Sequence, residues 1–388
     1  MRTKTVVVMA AFSAAMLLVT TLSHAEAPAM QAKVVMTDST AAALAATKRV
    51  AITNVMVSFQ ASAGGEKTNT SGLFATKTDA SASLQMPEMD TKLLSEITDA
   101  IYTQLKADLQ ANGFEVLPES TVLASPAYQK IIKMAGFTNP SKFANLNGDV
   151  MLVGASGLKP YLPYNAESGK FGASPKNLIK GWVTTGWGLK SSTEGGPTAI
   201  GTGEIYELPG LEVELAKALN ANLVKATYVV TLGSTKATAK SSYAGSNSAL
   251  GTNSFNNSYT GSAFAQVGLL AGQSRIAFRT PAANAKGESA PGGYTANFGN
   301  NASPAKDGDV VVTLEESLAG GTAFFAVTGG EKKADGLEKF LFGKALGGSG
   351  ADAQFEFTAT LSDPAAYRAE VVGMVTTAQR NMLTLVKQ

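Results

Sequence analysis

The sequence predicts an α/β fold of the α+β kind: a layered sheet with helices, interrupted by long Gly/Ser-rich insertions. Three observations predict it. Between Lys48 and Ser156, β-branched apolar runs alternate with amphipathic helical stretches, giving the order β-α-β-α-β. Gly, Ser, Thr and Asn crowd the stretches between the later strands, and Gly alone supplies 39 of 388 residues. No repeat of fixed period is present, which speaks against propellers and solenoids.

Residues 1–25 read as an export signal. Arg2 and Lys4 make a positive start, Val6 to Leu18 is apolar except for Ser13, and Ser23-His24-Ala25 offers small residues for cleavage. Cleavage is expected after Ala25, with Ala27 and Ala29 as alternatives. The apolar run is shorter than the roughly 20 residues a bilayer requires. No later stretch approaches that length, so no transmembrane helix is expected. Residues 26–47, Ala-rich and without period, read as a linker or a frayed lead-in helix.

Residues 48–158 form an α/β domain in this reading. Val50, Ile52, Val55, Val57 and Phe59 make a strand, and Ala61 to Pro87, with Gly64-Gly65, a loop. Ile97, Ile101, Leu105 and Leu109 recur at helical spacing, with Leu93 and Leu94 thickening the stripe. Asp90 or Thr91 caps this helix and Asn112-Gly113 closes it. Phe114 to Leu117 is a short strand stopped by Pro118. A helix from Pro126 to Ala135 is capped by Ser125 and ended by Gly136. A short helix over Pro140 to Leu146 and a buried strand over Asp149 to Gly154 complete the unit.

Residues 159–210 are an insertion rich in Gly, Ser and Pro. Residues 211–388 read as a second α/β-like part. It opens with a helix (Leu211 to Ala221) and a strand (Leu223 to Leu232), then a long loop or irregular hairpin (Gly233 to Gly261). Strands at Phe264 to Leu270 and Ser274 to Thr280 follow, with Ile276 and Phe278 facing one way and Arg275, Ala277 and Arg279 the other. After a loop from Pro281 to Asp309 come strands at Val310 to Leu314 and Thr322 to Val327, and a helix at Ala334 to Phe342. Gln354 to Leu361 alternates strictly, placing Phe355, Phe357, Ala359 and Leu361 on the core side, and Pro364 to Val386 is a final helix.

Composition restricts the chemistry. His24 is the single histidine and lies in the expected signal, and there is no Cys. The processed chain then lacks the usual general base, the usual thiolate and the best transition-metal ligands. It must also be stable without disulfides, on a core that about 360 residues can supply. The signal holds two of the 32 basic residues and none of the 30 acidic ones, so the remainder balances at 30 against 30. Without a net positive field, nothing draws the chain to nucleic acid.

No motif assigns catalysis. There is no G-x-S-x-G elbow, since Gly154-Ala155-Ser156-Gly157 is one residue short of it. Ser303-x-x-Lys306 has a catalytic spacing but lies in a Gly/Asn-rich stretch rather than at a helix start. Glu204, Glu207, Glu212 and Glu214 cluster in sequence and could supply paired carboxylates for glycoside cleavage; beside Lys217, a solvated helix surface is the ordinary explanation. Asp307 and Asp309 lack the remaining ligands of a calcium loop. No phosphate loop or dinucleotide fingerprint follows any strand. The expectation is therefore no catalytic residue, no metal and no cofactor. The candidate binding residues are the aromatics of the insertion: Tyr161, Tyr164, Phe171, Trp182 and Trp187. Exposed, they would bind sugars, peptides or a partner surface; folded inward, they would be the insertion's own small core.

Lys48-Arg49-Val50-Ala51-Ile52-Thr53-Asn54-Val55, the Leu93 to Leu109 helix and Gly113-Phe114-Glu115-Val116-Leu117-Pro118-Glu119 together resemble a group of bacterial envelope proteins. The group comprises the curli-secretion outer-membrane family, the penicillin-binding-protein activator lipoproteins and the N-terminal domain of the Tol-system translocation protein. Ala218 to Val224, followed by a strand and a Gly-rich stretch, is similar to that group's next unit. The resemblance covers about half of the processed chain and implies a non-enzymatic α/β domain that binds or assembles with proteins. Two departures limit it. The lipidated Cys of the lipoproteins is absent, and pore formation is not carried over, because Phe264 to Leu270 does not alternate cleanly and an Arg275/Arg279 face is costly against lipid.

The functional expectation is an exported envelope protein, periplasmic or outer-membrane-associated, acting by protein binding or assembly. Its partners would be envelope proteins or further copies of itself; a glycan partner and an extracellular location stay open. The alternatives are a secreted carboxylate-dependent glycan hydrolase and a surface or biofilm-matrix component, the latter suggested by the Asn/Ser/Gly-rich Ser241 to Gly261.

Overall fold

The computed structural model describes residues 32–35, 42, 44–71, 76–143, 150–161, 202–247, 252–281, 309–332 and 353–387. The layered α/β expectation holds: helices cover a large mixed sheet, and a second, smaller sheet stands beside it. Residues Ala32 to Gln388 cluster as one compact unit, so the two parts separated in the sequence share one sheet.

In chain order the strands are β1 (Ala32–Val35), β2 (Arg49–Gln60), β3 (Ser62–Ser71), β4 (Thr76–Gln85), β5 (Glu115–Val116), β6 (Ser141–Phe143) and β7 (Val150–Gly154). Then come β8 (Asn222–Asn247), β9 (Thr252–Leu269), β10 (Arg275–Arg279), β11 (Asp309–Leu314), β12 (Leu318–Ala319), β13 (Phe325–Lys332) and β14 (Ala353–Leu361). The helices are α1 (Thr91–Ala111), α2 (Glu119–Ala124), α3 (Pro126–Ala135), α4 (Thr202–Leu219) and α5 (Pro364–Thr384).

The main sheet runs β1-β11-β10-β8-β2-β7-β6, with β5 also on β2 and β9 also on β8. β2 lies at its centre, parallel to β8 and β5 and antiparallel to β7. Every β2 residue except its two ends is buried, as expected for a strand covered on both faces. Its apolar positions change parity, from Val50 and Ile52 to Val55, Val57 and Phe59. The register shifts between Ile52 and Asn54 at that point. This bulge turns Thr53 and Asn54 toward the same side of the sheet.

On that side, α2, α3 and α4 pack against the sheet through Val122, Tyr128, Ile131, Leu215 and Ala216. On the other, α1 presents Ile97, Ile101 and Leu105, and α5 presents Val371, Val375 and Met382. Asp108 of α1 ties these two helices together. It accepts hydrogen bonds from Gln379 Nε2 at 3.0 Å and Arg380 Nε at 3.2 Å, while Tyr228 of β8 donates to Gln379 Oε1 at 2.9 Å. Asp90 caps α1 as expected, accepting from the Lys92 and Leu93 amides, and Gly113 closes it at φ +82°.

Several expectations need correction. Residues 26–47 are not only a linker: Ala32–Val35 is a strand, paired with β11 at the edge of the main sheet. Ala61 to Pro87 is not a loop but holds the hairpin β3–β4, whose Ser, Thr and Gly content hid regular pairing from Ser62↔Gln85 to Ser71↔Thr76. Ser141–Phe143 pairs with β7 instead of forming a helix. Ser125 precedes α3 without a side-chain cap bond. Helix α4 begins at Thr202, inside the expected insertion. Gly233 to Gly261 resolves toward the hairpin alternative, because β8 and β9 pair from Val230↔Leu269 to Asn247↔Thr252. The expected helix at Ala334 to Phe342 lies outside the described residues.

The hairpin arm beyond Leu232 faces the second sheet, β13-β14-β4-β3. Their shared core is small-chained: Ala80, Ala82, Ala237, Ala239 and Ala353 surround Phe355. Gly261 belongs there by necessity, since a Cβ on it would come 2.1 Å from the Phe355 ring.

Candidate functional site

The polar centre of the molecule lies on the α4 side of the main sheet, where the β2 bulge, β8 and β10 meet that helix. Glu212 of α4 is fully buried. Its Oε2 accepts from Lys225 Nζ of β8 at 2.7 Å and lies 3.2 Å from Arg279 Nε of β10. Its Oε1 accepts from the Tyr161 hydroxyl at 3.1 Å, and that hydroxyl is 3.1 Å from Thr53 Oγ1. All of these side chains are essentially closed to solvent.

Several elements hold Tyr161 there. Asn54 Nδ2 donates to its carbonyl at 2.7 Å, and Tyr128 of α3 meets its ring edge-on at 6.3 Å. The Tyr128 hydroxyl lies 2.7 Å from the Lys159 carbonyl and 3.2 Å from that of Thr53, tying the chain before Tyr161 to the bulge. Gly154 permits the approach, because a Cβ on it would lie 2.4 Å from Pro160. Asn139 then clamps the Gly154 backbone, donating to its carbonyl and accepting from its amide, both at 2.8 Å.

Burial and then the Glu212 charge hold the Tyr161 phenol well above its ordinary pKa, so it stays protonated and donates to the carboxylate. Burial alone raises Tyr128. A carboxylate fixed between an ammonium, a guanidinium and a phenol, away from water, has its lone pairs engaged. That arrangement suits an ionic lock better than a base that must reach a substrate proton.

Of the aromatic candidates, Tyr161 is the one the structure describes, and it is buried in this lock rather than exposed. Tyr164, Phe171, Trp182 and Trp187 lie outside the described residues. Within the carboxylate cluster, Glu212 corrects the solvated-surface expectation, while Glu214 meets it, half-exposed and paired with Lys130 at 2.9 Å. The two therefore leave α4 in different environments, one sealed in the core and one in solvent. The side chains of Glu204, Glu207 and Asp309 are outside the description, as are Ser303, Lys306 and Asp307. Among the described residues, no group of three His, Cys, Asp or Glu side chains is placed to hold a metal. No helix among them is long and apolar enough to cross a membrane.

Sequence reasoning missed Thr53, Asn54, Lys225 and Arg279 as members of one cluster. A signal was present. Thr-Asn interrupts the apolar run of β2, Lys225 stands inside Leu-Val-Lys-Ala-Thr-Tyr-Val-Val, and Arg279 ends a buried strand. Charges in otherwise apolar strands need buried partners.

Comparison with protein-family models, with curated proteins and with solved structures found no match to this chain. The site is therefore read on its own geometry.

Proposed function

We propose that this chain is an exported envelope protein that works by binding protein, a partner or a further copy of itself, rather than by turnover. One observation carries the reading. β13 forms an edge of the second sheet, and Phe325 to Gly330 of that strand carry no charge. Ala326, Val327, Thr328 and Gly329 are exposed there, Val327 at 38%. Among the described residues β13 pairs with β14 alone. An uncharged edge with an exposed β-branched side chain is what strand addition by another protein uses, and what natural edge strands otherwise block with lysine. The Glu212 lock supports the same reading, since its buried carboxylate is committed to structure. Export rests on the residue pattern before Ala25 and is checked by cell fractionation.

The test is capture of cross-linked partners, together with sizing of the purified processed chain, for wild type and for Ala326→Lys with Val327→Lys. Loss of partner or self-association with unchanged circular dichroism is the expected result. Association that persists undiminished in the double variant would remove β13 as the contact and with it this reading.

A further inference from the structure

The outward face of the β8–β9 arm is a second surface, independent of the β13 edge. The register of β8 slips between Thr231 and Gly233, and Gly233 takes φ +143° with its backbone against Phe264. A one-residue slip exchanges the two faces of a strand. Leu232, at the bulge, is buried; beyond it Ala237 and Ala239 turn inward, while Ser234, Lys236 and Thr238 turn outward. Opposite them on β9, Phe264 faces Ser234, Ser262 faces Lys236 and Thr260 faces Thr238. The Thr238 and Thr260 hydroxyls are hydrogen-bonded across the strands.

The result is a strip of short hydroxyl side chains with the Lys236 ammonium midway along it and the Phe264 ring at one end. Phe264 is 53% exposed, the more exposed of the two large apolar side chains at the described surface. Residues 231–269 contain Lys236 and Lys240 and no Asp or Glu. From Phe264 to Thr260 the strip runs about 13 Å along the strand.

We infer that this face binds an acidic polysaccharide lying along the strands. The chemistry matches point by point. Serine and threonine hydroxyls both donate and accept, as sugar hydroxyls do. The exposed Phe264 ring offers an apolar plate for the C–H face of a pyranose. Lys236, exposed on an arm whose residues 231–269 hold no Asp or Glu, supplies the charge complement of a uronate. A bilayer would ask for a continuous apolar patch, and the strip offers a single exposed ring. The inference uses the face of the hairpin and not the edge of β13, so either proposal can fail alone.

The test is binding of the full processed chain to polygalacturonate, measured by isothermal calorimetry. Dextran, single-stranded DNA and phosphatidylglycerol vesicles serve as the other arms. Phe264→Ser and Lys236→Gln should each weaken polygalacturonate binding at least tenfold with the urea midpoint unchanged. Ser262→Asp, which sets a carboxylate opposite Lys236, should abolish it, and it keeps the test decisive if Phe264→Ser fails to fold. No binding to polygalacturonate, or equal binding by wild type and variants, overturns the inference. So does binding to dextran, DNA or vesicles as tight as to the polyuronate.

Discussion

The body of this molecule and its hairpin arm are both β-structures, yet they are held together by different means. The central strands β2 and β8 are sandwiched between helices and bury Met56, Phe59, Tyr228 and Val229 together with an ionised cluster. The arm packs alanine on alanine around Phe355, and its described outward positions are mainly Ser and Thr. Large side chains bring more apolar area per residue and tolerate a buried charge only when it is paired. Small side chains bring two sheets close, and then backbone proximity itself limits what fits. The body thus depends on partners for its buried charges, and the arm on the absence of side-chain volume.

Removing Glu212 tests the first dependence most severely. Glu212→Ala takes away the carboxylate that Lys225 and Arg279 both contact in the core, leaving the two cations without that anion. Breaking a buried pair from one side costs about 3–5 kcal/mol. A urea midpoint that falls accordingly, while Glu214→Ala stays within about 0.5 kcal/mol of wild type, is the expected outcome. If both variants cost the same, α4 is not sealed as described and the distinction between its two carboxylates fails.

How much of this was legible beforehand differs between the same two regions. In the body, β-branched runs and the Ile97-Ile101-Leu105-Leu109 stripe announce β2 and α1, because large apolar residues at fixed spacing report which face is buried. The Pro126–Ala135 boundaries were also readable, from Pro at a first turn and Gly after the last. In β3, β4 and the arm most of the inward residues are Ala and Gly, which hydropathy hardly separates from the Ser and Thr beside them. β3 and β4 therefore read as a loop, and the distal halves of β8 and β9 as a long loop or an irregular hairpin. β6 was missed because Pro140-Ser141 looks like a helix start, whereas pairing with β7 decides the conformation. The cluster around Glu212 was hidden differently: its members come from β2, α4, β8, β10 and the chain at Tyr161, and no local window contains them together. The isolated charges Lys225 and Arg279 were visible, but not their common partner.

The arm can be challenged through its own rule. Gly261→Val places a branched side chain where a single Cβ would already lie 2.1 Å from Phe355. Overpacking of this kind costs about 1–3 kcal/mol. Phe355→Ala should itself destabilise, and in the double variant the two changes should offset each other, giving a coupling energy of about 0.5 kcal/mol or more in a double-mutant cycle. Simple additivity would show that the two sheets do not meet at this point.

The smallest effect sharpens the contrast within the body itself, by moving the same chemistry to its wet surface. Glu119 accepts from the Tyr102 hydroxyl at 2.7 Å and from Lys106 Nζ at 2.8 Å, as closely bonded as Glu212, but its side chain is about a third exposed. The Lys106 and then the Tyr102 hydrogen bonds lower its pKa against the opposing effect of burial. A carboxyl with a depressed folded-state pKa contributes stability that is present above its unfolded pKa of about 4.3 and is lost as pH falls through the folded value. Glu119→Gln should therefore lower stability at pH 7 by less than about 1 kcal/mol, and the difference from wild type should shrink as pH falls below about 4.3 and through the lower folded-state value. Urea melts of both proteins across pH 2.5 to 7 check this. A loss at pH 7 as large as that of Glu212→Ala would mean that solvent exposure does not set the worth of these ion pairs, and the division between the sealed and the open parts of the body would have to be redrawn.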